Sequence, residues 1–242
     1  MVVRRVGPRQ GTTTSAGRVC QPPPVRITLP SGTPAELAVP EGRAPSVGVA
    51  LCPDIMGLRP LFDDLCARLA AEHGWAVCAI EPFAGRAGEP LEQRLSSPLR
   101  PHLGDDMLAA ADATGAERTV ALGFCMGGMV ALQSAGLGRF DRVVAFYGMI
   151  RLPDPWKGGD LVEPLDALRD PEASEALAIV AGRDQWAPPD DIEALRAVGD
   201  RVEVVVYPEA EHGFVHDPTR PTHRPDDAAD AWRRVVDSVN RA

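Results

Sequence analysis

Nearly uninterrupted apolar runs of strand length recur along the chain at residues 47–52 (VGVALC), 76–80 (AVCAI), 119–124 (TVALGF), 143–148 (VVAFYG), 176–182 (ALAIVAG) and 202–207 (VEVVVY). A strand with one wet face alternates apolar and polar residues, so runs this continuous belong to strands covered on both faces. The segments between them, 61–74, 105–115, 128–138, 189–199 and 224–242, space their apolar residues at helical period, and several close on glycine as helix C-termini do. Strands alternating with helices predict an α/β fold: a mostly parallel sheet with helices on both faces. Ahead of it, VRITL (25–29) and AELAVP (35–40) flank Ser31-Gly32-Thr33-Pro34, which reads as an antiparallel hairpin around a turn. Residues 82–104 and 151–174 are polar and proline-rich and read as loop or lid insertions. With no internal repeat and no linker, residues 25–242 are expected to form one domain, and residues 1–24, rich in Gly, Thr and Ser without periodicity, a disordered leader.

Composition narrows the function classes. The 242 residues, 45% of them hydrophobic, suffice for one sizeable core, while no apolar run approaches the roughly 18 residues of a membrane span. The net charge of −9 is uneven: residues 1–35 hold five arginines and no acid, leaving 20 basic against 34 acidic residues in 36–242. A body that acidic repels phosphate backbones, so neither nucleic acid nor a membrane is expected as a partner. Without a secretion signal the chain is expected in the cytoplasm, as a monomer or small homo-oligomer. Five cysteines (Cys20, Cys52, Cys66, Cys78, Cys125) make an odd number with no CxxC pair, which argues against disulfides and against a zinc site. Cys52, Cys66 and Cys78 fall in apolar or helical patterns, where a free cysteine packs as a small hydrophobe; Cys125 alone sits at a turn.

That turn, Gly123-Phe-Cys-Met-Gly127, lies where a strand passes straight into a helix, the setting of a G-x-S-x-G nucleophile elbow with Cys in place of Ser. A nucleophile on so tight a turn is held in a strained backbone conformation, and its neighbours two residues away must be small for strand and helix to meet. The helix N-terminus beneath favours a thiolate. By its letters alone the pentapeptide also fits a buried cysteine in the strand-to-helix turn of a nucleotide-binding fold. Its position favours chemistry: Asp184 follows the run 176–182, His212 follows the last run, and Cys125…Asp184…His212 is the chain order of nucleophile, orienting acid and base in this hydrolase architecture. Asp190 and Asp191 fall in a helix N-terminal turn, where acids complement the dipole. His73, His102 and His223 read as surface or loop residues, and HGFVH, with His216 four residues beyond His212, lacks an acidic ligand for a metal.

The segments GFCMGG, AGRDQWAPP, YPEAEHGF and LCPDIMGLRPLFDDLCARLAAEHGWAVCAIEPF resemble the dienelactone hydrolase family of α/β-hydrolases over about residues 45–240. The resemblance implies a cofactor-free hydrolase acting on a small lactone or ester through an acyl-cysteine. It makes Cys125 the nucleophile, His212 the general base, Asp184 its orienter, and the N–H groups of Met126 and Ile55 the oxyanion hole. Two positions depart from the family pattern. Asp54 stands where founding members carry the Glu that acts on the thiol, and His216 stands where an Arg holds the carboxylate of dienelactone, leaving Arg94 or Arg100 as substitute substrate contacts. A promiscuous carboxylesterase or thioesterase of the same fold stays open as an alternative, as does a non-catalytic or redox-sensing protein using Cys125.

Overall fold

The computed structural model describes residues 24–158 and 161–241; residues 1–23 of the expected leader, Cys20 among them, lie outside the described residues. Every apolar run forms a strand: β3 (Gly48–Cys52), β4 (Ala76–Ile80), β5 (Thr119–Phe124), β6 (Arg142–Phe146), β7 (Glu175–Ala181) and β8 (Val202–Tyr207). The hairpin supplies β1 (Val25–Thr28) and β2 (Pro34–Ala38). They make one eight-stranded sheet in the order β1-β2-β4-β3-β5-β6-β7-β8, antiparallel at β1/β2 and β2/β4 and parallel elsewhere.

The two-residue strand period sorts side chains between two cores. Val49, Leu51, Val77 and Ala79 meet the buried faces of α1 (Pro60–His73) and α7 (Pro225–Arg241), while Ala50, Cys52, Cys78 and Ile80 face α3 (Leu103–Ala113), α4 (Met126–Gln133), α5 (Pro164–Arg169) and α6 (Pro189–Arg196). Helix α7 shows how a polar segment joins such a core: Ala228, Ala231, Val235 and Val239 form one buried stripe on a helix otherwise rich in Asp and Arg. Burying a valine side chain such as that of Val235 stabilises by about 1.5–3 kcal/mol. Among the described residues no helix is long and apolar enough to cross a membrane.

Element ends differ from the sequence expectation where the backbone turns. Strand β6 stops at Phe146, ahead of the expected residue 148, because Tyr147 adopts φ 39° while its N–H bonds Ile179 O at 2.7 Å. The helix expected over 128–138 starts at Met126 and passes into a 3-10 turn over Ser134–Leu137. The insertion 82–104 contains α2 (Leu91–Ser96) and the start of α3, and 151–174 contains a 3-10 turn at Asp154–Trp156 and α5.

At the end of β5 the chain enters α4 with no loop: Cys125 has φ 57° and ψ −121°, its N–H bonds Phe146 O at 2.9 Å, and its carbonyl accepts from Met129 at 3.1 Å. This conformation costs about 1–3 kcal/mol and persists because the contacts around it over-determine it. A Cβ on Gly127 would lie 2.1 Å from Cys52 O and 2.3 Å from Pro53 O, and one on Gly123 would lie 1.9 Å from Gly127 O. Both contacts are with backbone atoms, so no rotamer change relieves them. Gly127→Ala is therefore expected to destabilise the fold by about 3 kcal/mol or more, read as a lower denaturant midpoint at unchanged m-value.

Candidate active site

Each chemistry-bearing residue follows the C-terminal end of a parallel strand, the edge where open α/β sheets bind ligands. Asp54 and Ile55 follow β3, Cys125 follows β5, Tyr147 follows β6, Asp184 follows β7, and His212 and His216 follow β8. The fold thus brings together Cys125, Asp184 and His212, which are far apart in sequence. Cys125 and His212 border a cavity of about 400 Å³ whose lining also includes Asp54, Ile55, Arg59, Trp186 and Arg220.

The loop after β7 is built around Asp184. Its Oδ1 accepts the Trp186 N–H at 2.9 Å and its Oδ2 bonds His212 Nδ1 at 2.6 Å, with the carboxylate side chain fully buried. A carboxylate can only accept here, so Nδ1 carries the proton and the lone pair of the neutral ring sits on Nε2. That Nε2 is buried with no nitrogen or oxygen partner among the described residues. Burial works against a charged imidazole, yet the Asp184 carboxylate and the Cys125 sulfur outweigh it and lift His212 to about 10. Cys125 is partly exposed, whereas Cys52, Cys66 and Cys78 are buried free thiols whose pKa values burial pushes up.

Asp54 belongs to a different network. It is 4% exposed and takes both guanidinium nitrogens of Arg59, at 2.6 and 2.8 Å, while its Oδ2 also meets His216 Nε2 at 2.8 Å. His216 Nδ1 accepts from the Tyr147 hydroxyl, which burial holds far above its ordinary pKa and so keeps protonated. Burial raises the Asp54 carboxyl, but the bonds from His216 and Arg59 prevail and hold it well below the usual carboxylate range.

Four of the residues expected near a substrate or the thiol make contacts of their own. Among the described residues no hydrogen bond joins Asp54 to the thiol, because Arg59 and His216 already occupy its oxygens. His216, with its side chain 1% exposed, is enclosed behind the cavity and unavailable to a substrate. Arg94 turns away from the cavity to donate to the carbonyls of Ile55 (3.1 Å) and Ala87 (2.8 Å) and stacks on Phe83. Arg100 neutralises the buried Asp106, which also takes the hydroxyl of Thr33 at 2.9 Å and so ties the hairpin turn to α3. The cations that do border the cavity are Arg59 and Arg220, neither singled out from sequence. Arg59 had a legible signal, an opposite charge five residues from Asp54 across a turn that ends at a helix-starting proline. Arg220 reaches the cavity through the long loop before α7, which no local pattern foretells.

These networks set two pH responses. A histidine held at about 10 when folded stabilises the fold in full below about pH 6.5, and that contribution is lost as pH rises through 10. The melting-temperature gap between wild type and Asp184→Asn is accordingly expected to be widest near pH 6 and to narrow by pH 10. Asp54, depressed when folded, contributes above its unfolded value near 3.8 and loses that contribution only as pH falls through its lower folded value. Asp54→Ala strands Arg59, His216 and the Met56 N–H, and about 2–4 kcal/mol of stability is expected to be lost in neutral-pH urea unfolding, the lower part reflecting Arg59's contact with solvent.

Comparison with known proteins places this geometry in a family. The model of the dienelactone hydrolase family matches residues 34–242. A candidate carboxymethylenebutenolidase of Methylorubrum extorquens is 33% identical over 234 residues, covering 88% of this chain and 78% of that one. A counterpart from Escherichia coli K12 is 30% identical over 208 residues, covering 78% of this chain and 74% of its own. The crystal structure of a candidate dienelactone hydrolase from Klebsiella pneumoniae superposes with a TM-score of 0.75 at 25% identity, covering 90% of this chain and 98% of that one. A dienelactone hydrolase-like promiscuous phosphotriesterase from metagenomic libraries shares the fold at a TM-score of 0.68 and 20% identity, covering 90% and 97%. The chain belongs to the dienelactone hydrolase family and is an ester-hydrolysing enzyme of the α/β-hydrolase fold.

Proposed function

We propose that the enzyme opens a small lactone or cleaves an ester through an acyl-cysteine intermediate, with Cys125 as nucleophile, His212 as acid and base, and Asp184 as the group that orients His212. The supporting observation is the pairing of His212 Nδ1 with the buried Asp184 at 2.6 Å while its buried Nε2 has no nitrogen or oxygen partner and lies under the influence of the Cys125 sulfur.

In the first half-reaction the Cys125 sulfur, its proton held on His212 Nε2 in keeping with the raised pKa of that ring, adds to the scissile carbonyl carbon. The charge passes to the carbonyl oxygen. Two backbone donors suit it: Met126 N–H, at the first position of α4 and so without an intrahelical acceptor, and Ile55 N–H, in a turn whose Met56 and Gly57 N–H groups are already bonded to Asp54. Collapse of the adduct breaks the carbon–oxygen bond, and the departing alkoxide takes the proton from His212. For a lactone both fragments remain one molecule, so the alcohol stays attached to the acyl group. In the second half-reaction His212 removes a proton from water, hydroxide adds to the thioester carbon, and the carboxylic acid leaves as the sulfur departs. The imidazolium formed in each half is stabilised by Asp184, whose negative charge stays out of water throughout.

Cys125→Ala is expected to abolish turnover of p-nitrophenyl esters and enol lactones with the fold intact, since alanine fits the same turn. His212→Ala is expected to lower kcat/KM by several orders of magnitude. Rapid quenching of wild type with a slow ester is expected to yield a mass increment of one acyl group on Cys125. Full activity of Cys125→Ala would remove the nucleophile assignment.

A further inference from the structure

We infer that the natural substrate is an uncharged ester or lactone carrying a bulky apolar group, aryl or branched alkyl, bound against a preformed wall above Cys125. The inference deepens the proposed function and relies on the acyl-cysteine reading only for its turnover readout.

Eight large apolar side chains are more than one-third exposed among the described residues, and four of them, Met56 (49%), Leu91 (44%), Leu95 (37%) and Trp186 (42%), line this one cavity. Surface apolar residues scattered singly are ordinary, but a cluster ringing a concave site marks what the site covers. The floor continues the same chemistry with Met149 and Trp156, each 3% exposed. At about 400 Å³ the cavity falls within the roughly 300–1,000 Å³ of sites that enclose drug-sized ligands.

The wall is fixed before any ligand arrives. Leu91 and Leu95 lie one turn apart on α2, which is held by the Arg94 side chain bonding Ile55 and Ala87 carbonyls, while the Arg94 carbonyl takes the Trp156 indole N–H at 3.1 Å. A preformed apolar wall converts burial of a ligand's apolar surface into affinity without an ordering cost.

The charges at the cavity do not call for an anion. Arg59 is spent on the bidentate bond to Asp54. Arg220 lies over Gly213, where an added Cβ would come within 2.5 Å of its guanidinium, and its field falls on Asp217, which borders the same rim. With Arg59 and Arg220 set against Asp54 and Asp217, and His212 set against the buried Asp184, no net positive charge is left to repay a substrate carboxylate for leaving water.

The test compares p-nitrophenyl acetate, p-nitrophenyl phenylacetate and the mono-p-nitrophenyl ester of succinate. Wild type is expected to favour the phenylacetate in kcat/KM by about tenfold or more over both others, the scale of discrimination an apolar pocket supplies. The variant Leu91→Ser/Trp186→Ala, altered at exposed positions that carry no core packing, is expected to lower the phenylacetate-to-acetate ratio by about tenfold. Binding is read separately on Cys125→Ala by calorimetry with phenylacetanilide and succinanilic acid, the neutral ligand being expected to bind about tenfold more tightly. That preference in binding without any turnover by wild type would sustain this inference and overturn the acyl-cysteine mechanism. Equal or better kcat/KM or binding for the carboxylate-bearing compounds, or an unchanged ratio in the double variant, would overturn the inference itself.

Discussion

The arrangement depends on one steric constraint: the first turn of α4 is pressed against the ends of β3 and β5 with nothing but backbone between them. Gly127 abuts the carbonyls of Cys52 and Pro53, Gly123 abuts Gly127, and Gly128 and Gly148 face one another across the next gap. Close packing of that kind leaves Cys125 no alternative to its strained conformation, because relaxing it would drive α4 off the sheet. The strain projects the sulfur toward the cavity and sets a helix N-terminus directly behind it. It also brings the Ile55 turn, which continues from Pro53, within reach of the same space.

Electrostatics then divides the site into two carboxylate–imidazole pairs with different surroundings. Asp184–His212 leaves one ring nitrogen with no nitrogen or oxygen partner among the described residues and under the influence of the Cys125 sulfur. In Asp54–His216 both ring nitrogens are occupied, by Asp54 and Tyr147, and the carboxylate is further saturated by Arg59. A fully satisfied buried network is rigid and chemically quiet, since moving any proton would strand a charge in a low-dielectric interior. The substitution of Asp for the Glu of the founding family members fits this difference. The shorter side chain folds back on its own turn, taking the Met56 N–H at 3.0 Å, and is fixed there by Arg59.

Sequence by itself determined a great deal of this protein. Strands buried on both faces must be nearly continuous apolar runs, and that requirement made all six parallel strands legible, β4, β5 and β8 to the residue. The hairpin was legible from its turn residues, and the meeting of Cys125, Asp184 and His212 at one edge of the sheet from their order behind three of those runs. These features are local, or depend only on chain order. What tertiary structure alone decided is where long charged side chains end. Arg94, Arg100 and His216 were plausible ligands of a substrate by type and position, yet the fold directs them to carbonyls, to Asp106 and to Asp54, where each satisfies a buried group. Arg59 and Arg220 reach the cavity instead. An arginine side chain spans several ångströms through flexible torsions, and its direction is chosen by whichever buried acceptor would otherwise go unpaired. That choice is a property of packed neighbours distant in sequence, so no reading of the chain one residue at a time contains it.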